Sequence, residues 1–196
     1  MTTDAAPHAL RRVFLVGMPG SGKSTLGRLA AKALNLEFID VDAELTKRNG
    51  VEIATIFEIE GEAGFRSREA ALIEELTQVD GVLLATGGGA VLRKENREAL
   101  RTRGLVIYLR ADLDMLDQRT ASTPKREAAG KTRPLLSGGN GREKLEALLA
   151  ERAPLYNEVA HLTFEAVAAD KARVARDLVS AIEAHAATPR STDISS

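Results

Sequence analysis

The sequence contains no cysteine, and this absence removes several kinds of chemistry at once. Without thiols the chain can form no disulfide and offers no cysteine-based metal or redox centre. Histidine is scarce as well, since the three in the chain are His8, His161 and His185. Their separation matches no metal-ligand spacing. The chain is therefore not expected to work through thiols or through a histidine-bound metal.

An excess of charge of one sign is also missing. The 27 lysines and arginines nearly balance the 28 aspartates and glutamates, which leaves a formal net charge of −1. This balance indicates no nucleic-acid partner and no membrane surface. No apolar stretch approaches the length of a membrane span, and the N-terminal residues lack the apolar centre of a signal peptide. We expect a cytoplasmic protein that acts as a monomer.

Short apolar runs alternate with helical patterns, in a chain that is 44% hydrophobic and can bury a core. The apolar runs predict five strands, at residues 12–17, 37–41, 81–87, 104–111 and 160–166. Helical periodicity predicts helices from Lys23, from about Ala43, over 62–79, around 93–102, after the N-capping residue Asp112, and over 170–187. Apolar strands between helices favour an α/β fold, in which a five-stranded parallel sheet carries helices on both faces.

The predicted domain organisation is simple. Residues 11–187 are expected to form one domain, and the polar ends 1–10 and 188–196 are expected to be flexible tails. Residues 120–139 show no periodicity and contain proline, glycine and four basic residues. Long connections of this kind inside a compact domain are often functional. We expect a mobile lid there.

One motif indicates nucleotide binding. The stretch GMPGSGKS, residues 17–24, fits the phosphate-binding P-loop pattern and lies between a predicted strand and a predicted helix. Its glycines let backbone N–H groups surround a phosphate, and the helix that follows adds the positive end of its dipole. Lys23 is expected to reach the β- and γ-phosphates, and Ser24 to bind Mg²⁺.

The class of P-loop protein follows from what accompanies the motif. The chain has neither the N-K-x-D nor the D-x-x-G motif of GTPases. A motor ATPase would need an acidic residue at the end of an apolar strand, and Asp112, the available candidate, is better placed to cap a helix. A small-molecule kinase is the predicted class.

Two aspartates and two arginines are candidates for the acceptor site. Asp40 and Asp42 follow the second strand, at the sheet edge where ligands bind, so one could hold Mg²⁺ and the other the acceptor hydroxyl. Alternatively, Asp42 caps the next helix and Asp40 lies at a turn. Arg66 and Arg152 could together grip a substrate carboxylate. Taken singly, Arg66 could simply extend from the edge of an apolar stripe into solvent, and Arg152 could be an ordinary helix-surface charge.

Three consecutive glycines, Gly87, Gly88 and Gly89, end the third predicted strand in LLATGGGAVL. Glycine weakens a strand, so a run of three suggests that something must approach bare backbone there. An ordinary strand-to-helix turn is the alternative.

Taken together, these motifs resemble those of the shikimate kinase family. The resemblance runs from about Arg12 to Ala184 and depends on ordered, separated motifs: GMPGSGKST, DVD, GFR, TGGG, RPLL and ERAPLY. It implies ATP-dependent phosphorylation of the 3-hydroxyl of shikimate, on the path to chorismate and the aromatic amino acids. It also implies Mg²⁺ as cofactor and ATP and shikimate as ligands.

The resemblance further implies roles for particular residues. The ATP-binding residues would be Gly20, Ser21, Gly22, Lys23, Ser24, Thr25, Arg119 and Arg133. The shikimate-binding residues would be Asp42, Arg66, Gly87, Gly88, Gly89 and Arg152. Lys23, Asp42 and Arg133 would be catalytic, and Ser24 and Asp40 would hold the metal. Phe57 and Phe65 would wall the pocket, and the glycine backbone would hydrogen-bond the shikimate ring.

Two other functions fit parts of the pattern. A gluconate or nucleoside-monophosphate kinase shares the architecture, although the latter needs arginines for a second phosphate. A nucleotide-binding regulatory module without catalysis would require the aspartate pair and both arginines to be incidental.

Overall fold

A computed structural model describes residues 11–120, 141–167 and 170–187. Five strands form one parallel sheet in the order β2-β3-β1-β4-β5. The strands are β1 (Arg12–Val16), β2 (Glu37–Asp40), β3 (Val82–Ala85), β4 (Leu105–Arg110) and β5 (Leu162–Glu165). The three central strands are almost entirely buried, because both faces of the sheet are covered. The predicted α/β fold is confirmed.

Seven helices cover the sheet in the part of the chain that the structure describes. They are α1 (Lys23–Leu34), α2 (Val41–Asn49), α3 (Ile53–Leu76), α4 (Lys94–Arg103), α5 (Leu113–Thr120), α6 (Gly141–Val159) and α7 (Lys171–Ala187). Helices α1 and α7 pack together, whereas α4 and α6 pack on β4 from the opposite side. Right-handed crossovers place the helices in two layers, one on each face of the sheet. The chain first moves from β1 to β2 at one edge, and it then moves back through β3 and β4 to β5 at the other edge. Crossovers of the same hand that run in opposite directions lie on opposite faces.

The helix starts differ from the sequence-based predictions in two places. Helix α2 begins at Val41, and its N-cap is Asp40, whose carboxylate accepts from the Asp42 and Ala43 N–H groups. The alternative in which Asp42 is the cap is therefore wrong. The helix predicted over 62–79 begins earlier, at Ile53, and its backbone breaks at Gly61. Asp112 does cap α5, since its carboxylate accepts from the Met115 N–H at 2.7 Å.

The topology brings the loops after β1, β2 and β3 to the same edge of the sheet. Strand β1 lies between β3 and β4, so the order reverses beside it. In open parallel sheets ligands bind at such a reversal, beyond the carboxyl ends of the strands. No helix in the described ranges combines the length and the apolar character that a bilayer crossing needs. Both predicted tails and nearly all of the predicted lid lie outside the described residues.

Candidate active site

The P-loop follows β1 and leads directly into α1. Gly20 and Gly22 adopt φ values of 88° and 103°, in the left-handed region that favours glycine. No side chain of the described residues caps the N-terminus of α1. Its first N–H groups can therefore bind an anion, which the helix dipole also favours. Ser24 and Thr25 are exposed in this first turn.

Lys23 is held down within the P-loop. Its side chain is only 8% exposed, and its ammonium group donates to the carbonyls of Gly17 at 2.8 Å and Met18 at 2.9 Å. The Met18 carbonyl also accepts from the Ser21 N–H at 3.1 Å. Lys23 therefore braces the loop, and a phosphate would share its three N–H donors with the two carbonyl acceptors.

The other predicted nucleotide contact from the described residues is Arg119, at the end of α5. Its guanidinium lies 3.4 Å from the Gly20 carbonyl, which places it against the P-loop. The residue after it, Thr120, is in contact with Gly20 as well. Arg119 thus lies beside the predicted ATP site. Arg133, the remaining predicted ATP contact, lies outside the described residues.

Ser24 and Asp40 meet across the mouth of the P-loop. The Ser24 hydroxyl donates to Oδ2 of Asp40 at 2.5 Å, while Oδ1 of the same carboxylate caps α2. A hydroxyl and a carboxylate are the hard oxygen ligands that Mg²⁺ prefers, together with water and substrate phosphates. The two predicted metal ligands are therefore adjacent, and their chemistry fits the ion.

The predicted shikimate-binding residues gather around the glycine loop after β3. A Cβ atom added at Gly87 would lie 2.9 Å from Oδ1 of Asp42, and one added at Gly89 would lie 2.5 Å from Cζ of Arg66. Arg152 lies near enough for its charge to affect the same buried carboxylate, Glu69, as Arg66 and Asp42 do. Asp42, both arginines and the glycine loop thus form one cluster.

Both arginines are buried cations. Arg66 is 7% exposed and Arg152 is 3% exposed, so neither is the surface charge that the sequence allowed. Arg66 is ion-paired with Glu69 at 2.6 Å and with Glu62 at 3.2 Å. Arg152 has a weaker pairing: its Nε makes no hydrogen bond among the described residues and lies 4.0 Å from Glu151. A buried guanidinium with an unpartnered N–H group is well suited to bind an anion.

Glu69 is a site residue that the sequence-based predictions missed. It is fully buried, with Oε2 bonded to Arg66 and Oε1 unpartnered among the described residues. Burial raises the pKa of its carboxyl, against the opposing effect of Arg66. The available signal was its position three residues after Arg66, on the same helical face. Glu69 fixes the Arg66 guanidinium beside the glycine loop.

Two aromatic rings lie beside this cluster, and their role as the wall of a substrate pocket stays a prediction. The rings of Phe57 and Phe65 lie 4.7 Å apart, and the Arg66 guanidinium lies 5.0 Å from the Phe65 ring. Phe65 is buried and Phe57 is half-buried. These rings stand on α3, on either side of the break at Gly61.

Comparison with known proteins decides the family. The profile described as shikimate kinase matches residues 19–183. The chain belongs to the shikimate kinase family. As a family member it catalyses the ATP-dependent phosphorylation of shikimate, in the biosynthesis of aromatic amino acids.

Individual shikimate kinases resemble the chain over most of its length. The protein from Bordetella pertussis (strain Tohama I) is 50% identical over 179 residues, which cover 91% of this chain and 81% of the relative. The protein from Halorhodospira halophila is 50% identical over 172 residues, covering 88% and 93%. The solved structure of shikimate kinase from Acinetobacter baumannii in complex with shikimate has a TM-score of 0.84 at 41% identity, covering 91% and 96%. The gluconate kinase, nucleoside-monophosphate kinase and regulatory-module alternatives are set aside.

Proposed function

We propose that the cluster around the glycine loop binds shikimate, with its carboxylate on Arg66 and Arg152 and its 3-hydroxyl at Asp42. The observation that carries this proposal is the pair of buried guanidinium groups next to a carboxylate, at the mouth of the P-loop. Burial strengthens a charge-assisted hydrogen bond, because water competes less for the donors. A substrate with one carboxylate and several hydroxyls matches this set of groups.

The P-loop would bring ATP to the same place. The glycine loop and the P-loop are in direct contact, since a Cβ atom added at Gly88 would lie 2.6 Å from the ring of Pro19 in the P-loop. Backbone N–H groups and Lys23 would neutralise the phosphates, and Arg119 would lie along the nucleotide. Phosphoryl transfer depends mainly on such positioning and charge stabilisation.

Asp42 would orient the reacting hydroxyl and accept its proton. The hydroxyl oxygen would attack the γ-phosphorus, the bond to the β–γ bridging oxygen would break, and ADP would leave. The first turn of α2 holds Asp42, and the Asp40 carboxylate fixes the start of that turn through the Asp42 N–H. The two aspartates therefore have separate roles, one toward the hydroxyl and one toward the metal.

Ser24 and Asp40 would hold Mg²⁺, which supplies positive charge to the phosphate oxygens when bound. Arg133 is proposed to approach the phosphates from the lid, and this role remains a prediction. We also propose that the enzyme acts as a monomer in the cytoplasm. Light scattering of the purified chain and localisation of a tagged copy would test those two statements.

Arg152→Ala is the sharpest test of the substrate site. Arg66 pairs with the buried Glu69 at 2.6 Å, whereas Arg152 pairs at 4.0 Å with the exposed Glu151, so removal of Arg152 leaves Glu69 paired with Arg66. Shikimate binding should weaken by about 1.5–3 kcal/mol, the usual value for hydrogen bonds to a charged group. ATP affinity should hardly change. Calorimetry with each ligand, and ADP release with shikimate, gluconate and nucleoside monophosphates as acceptors, would measure both effects.

Arg103→Ala provides the matched control. Arg103, at the end of α4, is a partly buried arginine that is bonded to Glu74 and Thr77. The Arg103→Ala variant should be somewhat less stable than the wild type but should bind shikimate with the same affinity. Equal losses of ATP and shikimate affinity in the Arg152 variant would contradict the proposal and indicate a general folding defect.

A further inference from the structure

Tyr156 makes a contact that the reaction as described does not use. It is fully buried on α6, and its hydroxyl donates to the Gly88 carbonyl at 2.5 Å. The same oxygen lies 3.8 Å from the sulfur of Met18 in the P-loop. Its ring stacks on Tyr108 of β4 at 5.0 Å, which fixes the position of the phenol. One side chain thus contacts both the nucleotide loop and the substrate loop.

The glycine loop needs such a restraint. Three consecutive glycines have the greatest backbone freedom of any sequence, so their peptide planes can rotate easily. The Gly87 carbonyl accepts from the Ala90 N–H at 3.2 Å, and the Gly89 carbonyl accepts from the Leu92 N–H at 3.0 Å. The Gly88 carbonyl instead accepts from Tyr156, which is 68 residues away in the chain. The carbonyls of Gly87 and Gly89 are therefore held by the chain that directly follows the loop, whereas the Gly88 carbonyl is held by α6.

Because Tyr156 holds the Gly88 carbonyl, it also fixes the orientation of the Gly89 N–H group. The peptide bonds in the described residues are trans, so the Gly88 carbonyl and the Gly89 N–H point in opposite directions. With the carbonyl directed at Tyr156 on α6, the Gly89 N–H is directed away from that helix. The Gly89 backbone itself lies against the Arg66 guanidinium, beside the proposed carboxylate site.

Tyr156 is also linked to the other arginine. Arg152 precedes it by one helical turn, so both side chains leave α6 on the same face. The Arg152 guanidinium lies close enough to lower the pKa of the phenol, although burial raises that pKa by more. The hydroxyl therefore remains a proton donor throughout the physiological pH range.

We propose that Tyr156 is a positioning residue for shikimate, because its hydroxyl holds the Gly88 peptide so that the Gly89 N–H faces the substrate. This inference rests on the proposed function of the glycine loop. Tyr156 itself does not touch the reacting atoms. It acts through the backbone of Gly88 and Gly89, and its contact with Met18 connects that backbone to the P-loop.

Tyr156→Phe removes this one hydroxyl, and Tyr108→Phe is its matched control. Tyr108 is an equally buried tyrosine whose ring stacks on that of Tyr156. In the Tyr156 variant the KM for shikimate should rise about tenfold, equivalent to ~1.4 kcal/mol, the scale of one lost hydrogen bond. The Kd for an ATP analogue without shikimate should stay within about twofold of the wild-type value. A purely structural role would lower thermal stability and the active fraction, and would leave the KM for shikimate unchanged.

The outcomes separate this inference from the proposed function. If Tyr156→Phe and Tyr108→Phe have the same KM for shikimate while Arg152→Ala still loses shikimate binding, the positioning role is wrong and the proposed substrate site is retained. If Arg152→Ala also binds shikimate normally, the proposed site itself fails.

A second measurement covers the case in which Tyr156→Phe does not fold. Tyr108 and Tyr156 are the two tyrosines of the chain, so Tyr108→Phe labelled with 3-fluorotyrosine carries one fluorine reporter, at Tyr156. Shikimate should shift its ¹⁹F resonance more than an ATP analogue does. A resonance that shikimate leaves unmoved would overturn the proposal.

Discussion

At the scale of single residues, the glycine run shows how closely the site is packed before any ligand arrives. The sequence suggested that the glycines leave room for a substrate ring. In the structure, the protein's own groups already lie against each of them: Glu69 and Asp42 at Gly87, Pro19 at Gly88, and Arg66 at Gly89. The missing Cβ atoms therefore allow these side chains to approach the loop. Contact of the loop with shikimate remains a prediction.

Gly89→Ala should displace Arg66. The new Cβ would lie 2.5 Å from Cζ of the guanidinium, which Glu69 and Glu62 hold in place. Overpacking of this kind costs about 1–3 kcal/mol, and the displaced arginine should also raise the Kd for shikimate about tenfold or more. Urea unfolding and calorimetry would measure the two effects.

Gly141→Ala is the comparison for this variant, because nothing in the described part of the chain lies within 4 Å of the Cβ it would add. It should alter neither stability nor binding appreciably. Unchanged shikimate affinity in the Gly89 variant would show that Arg66 is not part of the site.

At the scale of elements, α6 was not predicted from the sequence, and α3 is the predicted helix whose start differs most from the prediction. Its periodicity was clear only after residue 62, because Gly61 interrupts the pattern. In the structure Gly61 has φ 69° and ψ −176°, a backbone region that is essentially restricted to glycine, and the chain continues as helix on both sides. The segment before the break carries Phe57, and the segment after it carries Phe65 and Arg66. The break therefore determines how the two parts of the pocket meet.

Gly61→Ala should destabilise the protein through the backbone alone. Apart from its neighbours along the helix, no atom of the described residues lies within 4 Å of the Cβ that alanine would add, so a clash with other groups contributes nothing. Forcing a residue with a side chain into this conformation costs about 1–3 kcal/mol, which urea unfolding would detect. The Gly141→Ala variant again provides the reference. A free energy of unfolding equal to that of the wild type would show that the break does not depend on glycine.

At the scale of the whole molecule, the site is assembled from distant parts of the chain. The P-loop follows β1, the aspartates follow β2, the glycine loop follows β3, and the second arginine lies on α6. They meet because the parallel strands β1, β2 and β3 end at one edge of the sheet. The proposed nucleotide-binding half and the proposed shikimate-binding half are therefore separate groups of residues on a single scaffold.

Ligand stabilisation should show this separation. A ligand at 100 times its Kd stabilises the folded state by about 2.7 kcal/mol, which corresponds to a rise in Tm of roughly 5–10 °C for a chain of this size. Arg152→Ala should lose the rise with shikimate and keep the rise with an ATP analogue. Lys23→Ala should lose the rise in Tm with an ATP analogue and keep the rise with shikimate.

The Tm of the Lys23 variant without any ligand should also be lower than that of the wild type, because Lys23 donates to two loop carbonyls. Thermal unfolding with and without each ligand would resolve these effects. Loss of both ligand responses in both variants would contradict the two-part description of the site.

Local sequence patterns predicted much of the fold, because each depends on neighbouring residues. Apolar runs fall on the five strands, although every strand is shorter than its run. The run at 81–87 ends as strand β3 at Ala85, where Thr86 turns to bond the Leu15 carbonyl through both its N–H and its hydroxyl. Asp112 was identified as a cap because capping is local. Asp40 was not, since two neighbouring aspartates compete for that position.

By itself, the sequence determined the fold class, the P-loop and the order of the motifs, since periodicity, glycine spacing and strand–loop–helix context lie within short segments. Only the tertiary structure decided which charges are buried and what they face. Burial excludes a surface role for Arg66 and Arg152, and Glu69 and Tyr156 acquire proposed roles through contacts with Arg66 and Gly88. Burial and distant contacts depend on how the sheet brings separate segments together, and no local pattern contains that information.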